Sequence, residues 1–300
     1  MIVVPPEFAA RHIARAGEAG RYWIDALPAL ADRYLRDWDL RPDGAPMHGY
    51  AGLVLPVVRA DGQPAALKLP IISDEHRGEA AALRTWDGDG AVRLLDDDPE
   101  TWVLLLERLD GRRDLRSMPD DREALAVICG LLRRLHAHPA PAGIPRLADV
   151  AAGLVAHAPD RAAAASPEHA RRMLAWAAVT AEVATEPGDR LLHWDLHYEN
   201  ALSATREPWL AIDPKPLVGD PGFDLWPALS NRWGDAVATG DVRRAVRRRF
   251  DLMVDELGLD RDRAIAWTRA RMLQNAIWNA EDGVTDVIDD IAAEIDLALG

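Results

Sequence analysis

In the first forty residues apolar positions recur at helical spacing. Phe8, Ile13, Trp23, Leu27, Leu30 and Leu35 predict a helical leader, interrupted near Gly17 and Gly20. Short apolar runs then replace that period. Residues 52–58 predict a strand, Ala60-Asp61-Gly62-Gln63 a hairpin turn, and residues 65–69 the returning strand, since Asp-Gly between apolar runs favours a tight reversal. Ser73 is placed to cap a helix with Asp74 and Glu75 in its first turn, running to about Trp86. Residues 92–95 and 102–107 predict two more strands. Beyond Asp110-Gly111 the pattern is mainly helical. Leu125, Ile128, Leu132 and Leu135 lie three, four and three apart, one face of a helix that Pro119 opens and Pro139 closes. Helices are expected over 146–157, over 167–185 and through most of the C-terminal remainder. Short strands over 190–194 and 209–212 bracket one polar segment.

This pattern predicts an α+β chain in two lobes. A helical leader and a small β-rich lobe fill 1–109, and a larger, mainly helical lobe fills 110–300, with the crossing at 108–114. A junction between lobes is a common place for a ligand.

Composition narrows the classes. Hydrophobic residues make up 49% of the 300 and charged residues 28%, the balance of a globular protein and not of a disordered one. Asp plus Glu number 49 against 35 Lys plus Arg, so the net charge is −14. That sign disfavours nucleic acid and anionic membranes as partners and favours a cationic one. The single cysteine, Cys129, lies in an apolar stretch and reads as a core residue, so a cytoplasmic location is expected. No signal peptide or membrane span is visible. The five arginines of 243–249 read as a solvated helix face, and His136 and His138 as partners of a helix's last carbonyls.

The chemistry concentrates in His193-Trp194-Asp195-Leu196-His197-Tyr198-Glu199-Asn200, which contains Asp-x-x-x-x-Asn and follows an apolar strand. A second apolar strand ends in Ile212-Asp213-Pro214. Phosphoryl transfer asks a protein mainly for positioning and charge neutralisation. One carboxylate takes the proton of the attacking hydroxyl, while an amide oxygen and a second carboxylate suit Mg²⁺, a hard cation that keeps several waters. Asp195, Asn200 and Asp213 supply that set. His193 and His197 lie on a predicted loop without a Glu-x-x-His pattern, which disfavours zinc.

These residues resemble the catalytic loop of the protein-kinase-like fold in the form used by aminoglycoside phosphotransferases. Ile212-Asp213-Pro214-Lys215-Pro216, Gly219-Asp220-Pro221, Asp224-Leu225, Leu53-Val54-Leu55-Pro56, Ala66-Leu67-Lys68 and Gln274-Asn275-Ala276-Ile277-Trp278 are most similar to the streptomycin and hydroxyurea kinase branch. The resemblance implies a bilobal kinase-like fold, ATP or GTP as donor, Mg²⁺, and a small, cationic acceptor. It makes Asp195 the base, Asn200 and Asp213 metal ligands, and Asp224 and His193 structural braces. Lys68 becomes the phosphate-contacting lysine, with Glu79 as its helix partner and Glu75 as the alternative. Glu107 to Leu109 become the nucleobase-binding connection, and Gly49 and Gly52 part of the phosphate-covering loop over 47–52. That loop departs from the family's pattern by lacking a full Gly-x-Gly-x-x-Gly. Asn275, Trp278, Glu281 and Asp282 are the acceptor-side candidates, the last two as carboxylates for the guanidinium groups of streptomycin. The expected activity is phosphorylation of streptomycin or a related aminoglycoside by a monomer or weak homodimer. A kinase for hydroxyurea or another small hydroxylated metabolite is the alternative. A pseudokinase is disfavoured by the presence of Lys68, Asp195, Asn200 and Asp213.

Overall fold

The computed structural model describes residues 2–49, 52–71, 77–284 and 286–300. The expected cap at Ser73 with Asp74 and Glu75 falls outside them, as do two residues of the 47–52 loop. The chain forms two compact units, one of Met1–Asp74 and Val92–Leu109, the other of Glu75–Ala91 and Asp110–Gly300. Among the described residues no helix is long and apolar enough to cross a membrane.

The first unit packs helix α1 (Pro6–Asp37) on a sheet. The helix bends at Gly17, whose φ of 57° is open to glycine at little cost. Ile24, Leu27, Ala31 and Tyr34 form the buried stripe, again spaced three, four and three, and meet Leu53, Leu55, Val57, Leu67 and Leu69. The strands are β1 (Arg41–Pro42), β2 (Met47–His48), β3 (Gly52–Val58), β4 (Pro64–Pro70), β5 (Leu94–Asp97) and β6 (Leu104–Glu107). They run in the order β1-β3-β4-β6-β5, with β2 also on β3. The β3–β4 reversal is the one the sequence predicts. Gly62 has φ 83°, and Arg59 and Gln63 close the turn with a 2.9 Å hydrogen bond.

In the second unit, α2 (Glu79–Trp86) precedes β7 (Asp110–Asp114), α3 (Asp121–His136), α4 (Leu147–Ala163) and α5 (Pro167–Val183). The short strands β8 (Arg190–Leu192), β9 (Ala201–Ser203), β10 (Trp209–Ala211) and β11 (Leu217–Gly219) follow. The last helices are α6 (Trp226–Ser230), α7 (Trp233–Ala238), α8 (Val242–Leu257), α9 (Arg261–Glu281) and α10 (Asp290–Leu299).

Several expectations shift for physical reasons. The side chain of Asp120 accepts from the Arg122 and Glu123 amides, so α3 starts after that cap and not at Pro119. Helix α4 continues through Pro159 because Ala151, Leu154, Ala158 and Ala162 keep one stripe buried. Strand β7 has no apolar alternation, since its arginines face outward, and only pairing with β9 defines it. Arg249 leaves the solvated arginine face: it is buried and grips Asp121 through two contacts of 3.0 and 3.1 Å.

Candidate active site

Two short ladders build the site. Strands β8 and β11 pair antiparallel with Leu192 opposite Leu217, and the Lys215 amide extends the ladder to the His193 carbonyl at 3.0 Å. Strands β9 and β10 pair with Ala201 opposite Ala211, and the Ile212 amide extends theirs to the Asn200 carbonyl at 2.9 Å. The first ladder therefore sets the segment after Leu192 beside Lys215. The second sets Asn200 across from the residue that leads into Asp213. Trp194 and Asp213 take left-handed backbone conformations, with φ of 64° and 56°. For side chains of this size each costs about 1–3 kcal/mol, a strain that surrounding structure must enforce.

Asp224 enforces much of it. Its carboxylate is fully buried and accepts from the His193 amide (3.0 Å), the Trp194 amide (2.5 Å) and His136 Nε2 (2.8 Å). His136 thus reaches across from the end of α3 to this carboxylate, in place of its expected helix carbonyls. His138 likewise pairs with Asp89 at 2.9 Å. His193 Nε2 meets the Ile212 carbonyl at 3.0 Å, and its Nδ1 accepts the Asp195 amide at 3.3 Å. A carbonyl only accepts and an amide only donates, so the ring is a neutral tautomer with its proton on Nε2. Burial pushes its pKa below 6.5 and outweighs the opposing charges of Asp224, Asp195 and Asp213. The Trp86 ring stacks on it, 6.2 Å away and 14° from parallel.

Asn200 closes the loop by donating from Nδ2 to the Asp195 carbonyl at 2.9 Å, which leaves its Oδ1 as the remaining acceptor. Asp195 Oδ2 lies 3.1 Å from Lys215 Nζ. Glu199 accepts from His197 Nδ1 (2.9 Å), Asn231 (3.0 Å) and Arg116 (3.0 Å). The His197 bond is the main reason its pKa falls to about 2. His193 and His197 therefore serve separate partners.

A model of the family described as aminoglycoside/hydroxyurea antibiotic resistance kinase matches residues 37–283. The chain belongs to this family of kinases. It is 54% identical over 287 residues to a streptomycin 6-kinase of Streptomyces griseus, covering 95% of this chain and 94% of that one. It is 48% identical to a hydroxyurea phosphotransferase of Kitasatospora aureofaciens, covering 100% and 87%. Among solved structures, the aminoglycoside phosphotransferase APH(4)-Ia in complex with AMP-PNP and hygromycin B superposes with a TM-score of 0.58. At 14% identity and coverage of 90% and 97%, that match establishes a shared fold. The chain is a phosphotransferase of the kinase-like α+β fold.

The kinase's remaining expected site residues are distributed as follows. Lys68 is buried on β4, with Val54 and Leu104 as register partners. Glu79 is buried in the first turn of α2. Gly49 donates to the Gly52 carbonyl at 3.2 Å, closing the β2–β3 reversal. A Cβ on Gly52 would lie 3.2 Å from the Leu69 carbonyl oxygen, so a side chain there would crowd β4. Glu107 accepts the Arg93 amide at 2.8 Å, and Leu109 is buried. On α9, Asn275 and Trp278 are half-buried. The Arg271 guanidinium lies 5.1 Å from the Trp278 ring centre and 5.4 Å from that of Trp194, so Trp278 sits near the loop over 193–200. Glu281 instead pairs with Arg161 at 3.0 Å and is 44% exposed, and Asp282 is exposed at the helix end. The structure thus gathers His193, Asp195, Asn200 and Asp224 with Lys215 and His136, and leaves two proposed acceptor carboxylates outside that cluster. Nothing in the local pattern around His136 signals its partner. Lys215 is signalled only by its place between two prolines, two residues after Asp213.

Proposed function

We propose that this kinase transfers the γ-phosphoryl group of ATP, with Mg²⁺, to a hydroxyl of streptomycin. The observation that carries the reading is the placement of Asp195, Asn200 and the Asp213 segment by two adjoining ladder ends, in a chain 54% identical to a streptomycin 6-kinase. Asp195 receives the acceptor's proton. Asn200 Oδ1 and the Asp213 carboxylate are the Mg²⁺ ligands. Among the described residues no group of three or more His, Cys, Asp or Glu forms a ready-made metal cage. That donor set fits Mg²⁺, which takes its other ligands from waters and nucleotide phosphates. When bound, the ion would neutralise phosphate charge.

Lys68 contacts the α and β phosphates, while Gly49 and Gly52 belong to the phosphate-covering turn. Glu107 to Leu109 present backbone groups to the nucleobase, with GTP a second possible donor. The 1–109 region is thus the nucleotide-binding lobe and the 110–300 region the catalytic and acceptor lobe of a cytoplasmic enzyme. Asn275 and Trp278 flank the acceptor, and Glu281 and Asp282 offer outer carboxylates to its guanidinium groups. Asp224 and His193 hold the loop in shape.

A second acceptor, hydroxyurea, is favoured by the 48% identity to a hydroxyurea phosphotransferase over the whole chain. An ADP-release assay with purified enzyme, ATP and Mg²⁺ separates the two. Turnover of streptomycin well above that of hydroxyurea is expected. Clear hydroxyurea turnover without streptomycin turnover would overturn the aminoglycoside assignment.

A further inference from the structure

The cation nearest the proposed base is Lys215. Its Nζ lies 3.1 Å from Asp195 Oδ2, and each of the two side chains is 21% exposed. Its backbone is held as firmly as the loop itself, because its amide continues the β8–β11 ladder onto the His193 carbonyl at 3.0 Å. Pro214 and Pro216 flank it and fix their own φ angles, so the segment has few alternative conformations. Asp224 and Asn200 brace the backbone on either side of Asp195, but not its carboxylate. Among the described residues Lys215 is the only side chain bonded to that carboxylate. It engages Oδ2 and leaves Oδ1 for a substrate hydroxyl.

The arrangement also meets an electrostatic problem. In the proposed reaction the Asp195 carboxylate works beside Asp213 and next to a polyphosphate. Its charge and that of Asp213 both act on the buried His193 ring. An ammonium at contact distance offsets this like-charge repulsion, and it does so more effectively where water is scarce.

We propose that Lys215 is the positioning residue of the phosphoryl-transfer base, fixing the Asp195 carboxylate with Oδ1 toward the acceptor. This rests on the kinase reading above. In the step itself the acceptor oxygen bonds to the γ-phosphorus and the bond from that phosphorus to the β,γ-bridging oxygen breaks. The electron pair leaves with ADP, and the hydroxyl proton passes to Asp195.

The test compares unaltered enzyme, Lys215→Met and Lys215→Arg, each purified, with ATP, Mg²⁺, and streptomycin or hydroxyurea. Lys215→Met is expected to lower kcat by about 100-fold, with both KM values within about threefold and an unchanged melting temperature. Lys215→Arg should recover a tenth or more of kcat, since it restores a cation that can reach a carboxylate. A merely structural lysine would lower the melting temperature, without selective rescue by arginine. Near-normal kcat in Lys215→Met would overturn the proposal, as would a loss carried mainly by the KM for ATP, which would make Lys215 a phosphate ligand. If the unaltered enzyme turns over neither acceptor, the functional reading fails and this inference with it. If it does and the variants match it, only this inference fails.

Discussion

Two sets of carboxylates in the same helical unit behave differently. Around the loop over 193–200, Asp224 is wholly buried under three donors, Glu199 accepts from three more, and Asp195 is paired with Lys215. At the end of α9, Glu281 meets a single half-buried arginine and Asp282 is exposed. The side-chain chemistry is the same and the surroundings are not. A carboxylate whose acceptor sites are filled by protein donors holds a backbone in place. One largely in water, with a single ion-pair partner, contributes little to stability and binds weakly. The contrast assigns shape to the first set, with Asp195 the member proposed to meet substrate.

The largest effect should come from Asp195→Asn, which keeps the size of the side chain but cannot take the hydroxyl proton. A kcat loss of about 1,000-fold is expected in steady-state assays, with ATP affinity retained by calorimetry. Asp224→Ala follows. It strands the His193 and Trp194 amides and His136, so unfolding in urea should show a loss of about 3–5 kcal/mol. A third change concerns acid. Glu199 is depressed to about 2 from its ordinary value of 4.5, so its stabilisation is present above about pH 4.5 and is lost as pH falls toward 2. The stability difference between the unaltered protein and Glu199→Gln should shrink across that window in denaturant titrations. The smallest effect is Glu281→Gln. The KM for streptomycin should rise by no more than about threefold, less at high salt, with the KM for ATP unchanged. A tenfold rise would erase the contrast and place the acceptor at the end of α9.

Much of the architecture was readable because it is written in local periods. The 125–135 stripe, the Asp61-Gly62 reversal and the alternation of short strands with the Asp-x-x-x-x-Asn segment all rest on neighbours within a few residues. Asp195, Asn200, Asp213 and Asp224 stand out for the same reason, helped by family resemblance. What stayed hidden depends on partners far along the chain. Strand β7 is exposed and polar, and exists through its pairing with β9. His136 finds Asp224 across 88 residues, and Arg249 finds Asp121 across 128. Helix periodicity cannot reveal such pairings. The bond between Lys215 and Asp195 is hidden too, because it requires knowing that β8 and β11 are neighbours.

The most direct test is the product itself. Purified enzyme and its Asp195→Asn variant would be incubated with ATP, Mg²⁺ and streptomycin, and the reaction followed by phosphorus-31 NMR, with ATP binding checked for both. A new phosphomonoester resonance is expected with the unaltered enzyme, matched by ADP, and almost none with the variant despite equal ATP binding. The absence of a phosphomonoester with the unaltered enzyme, or equal rates for the two proteins, would contradict the proposed reaction.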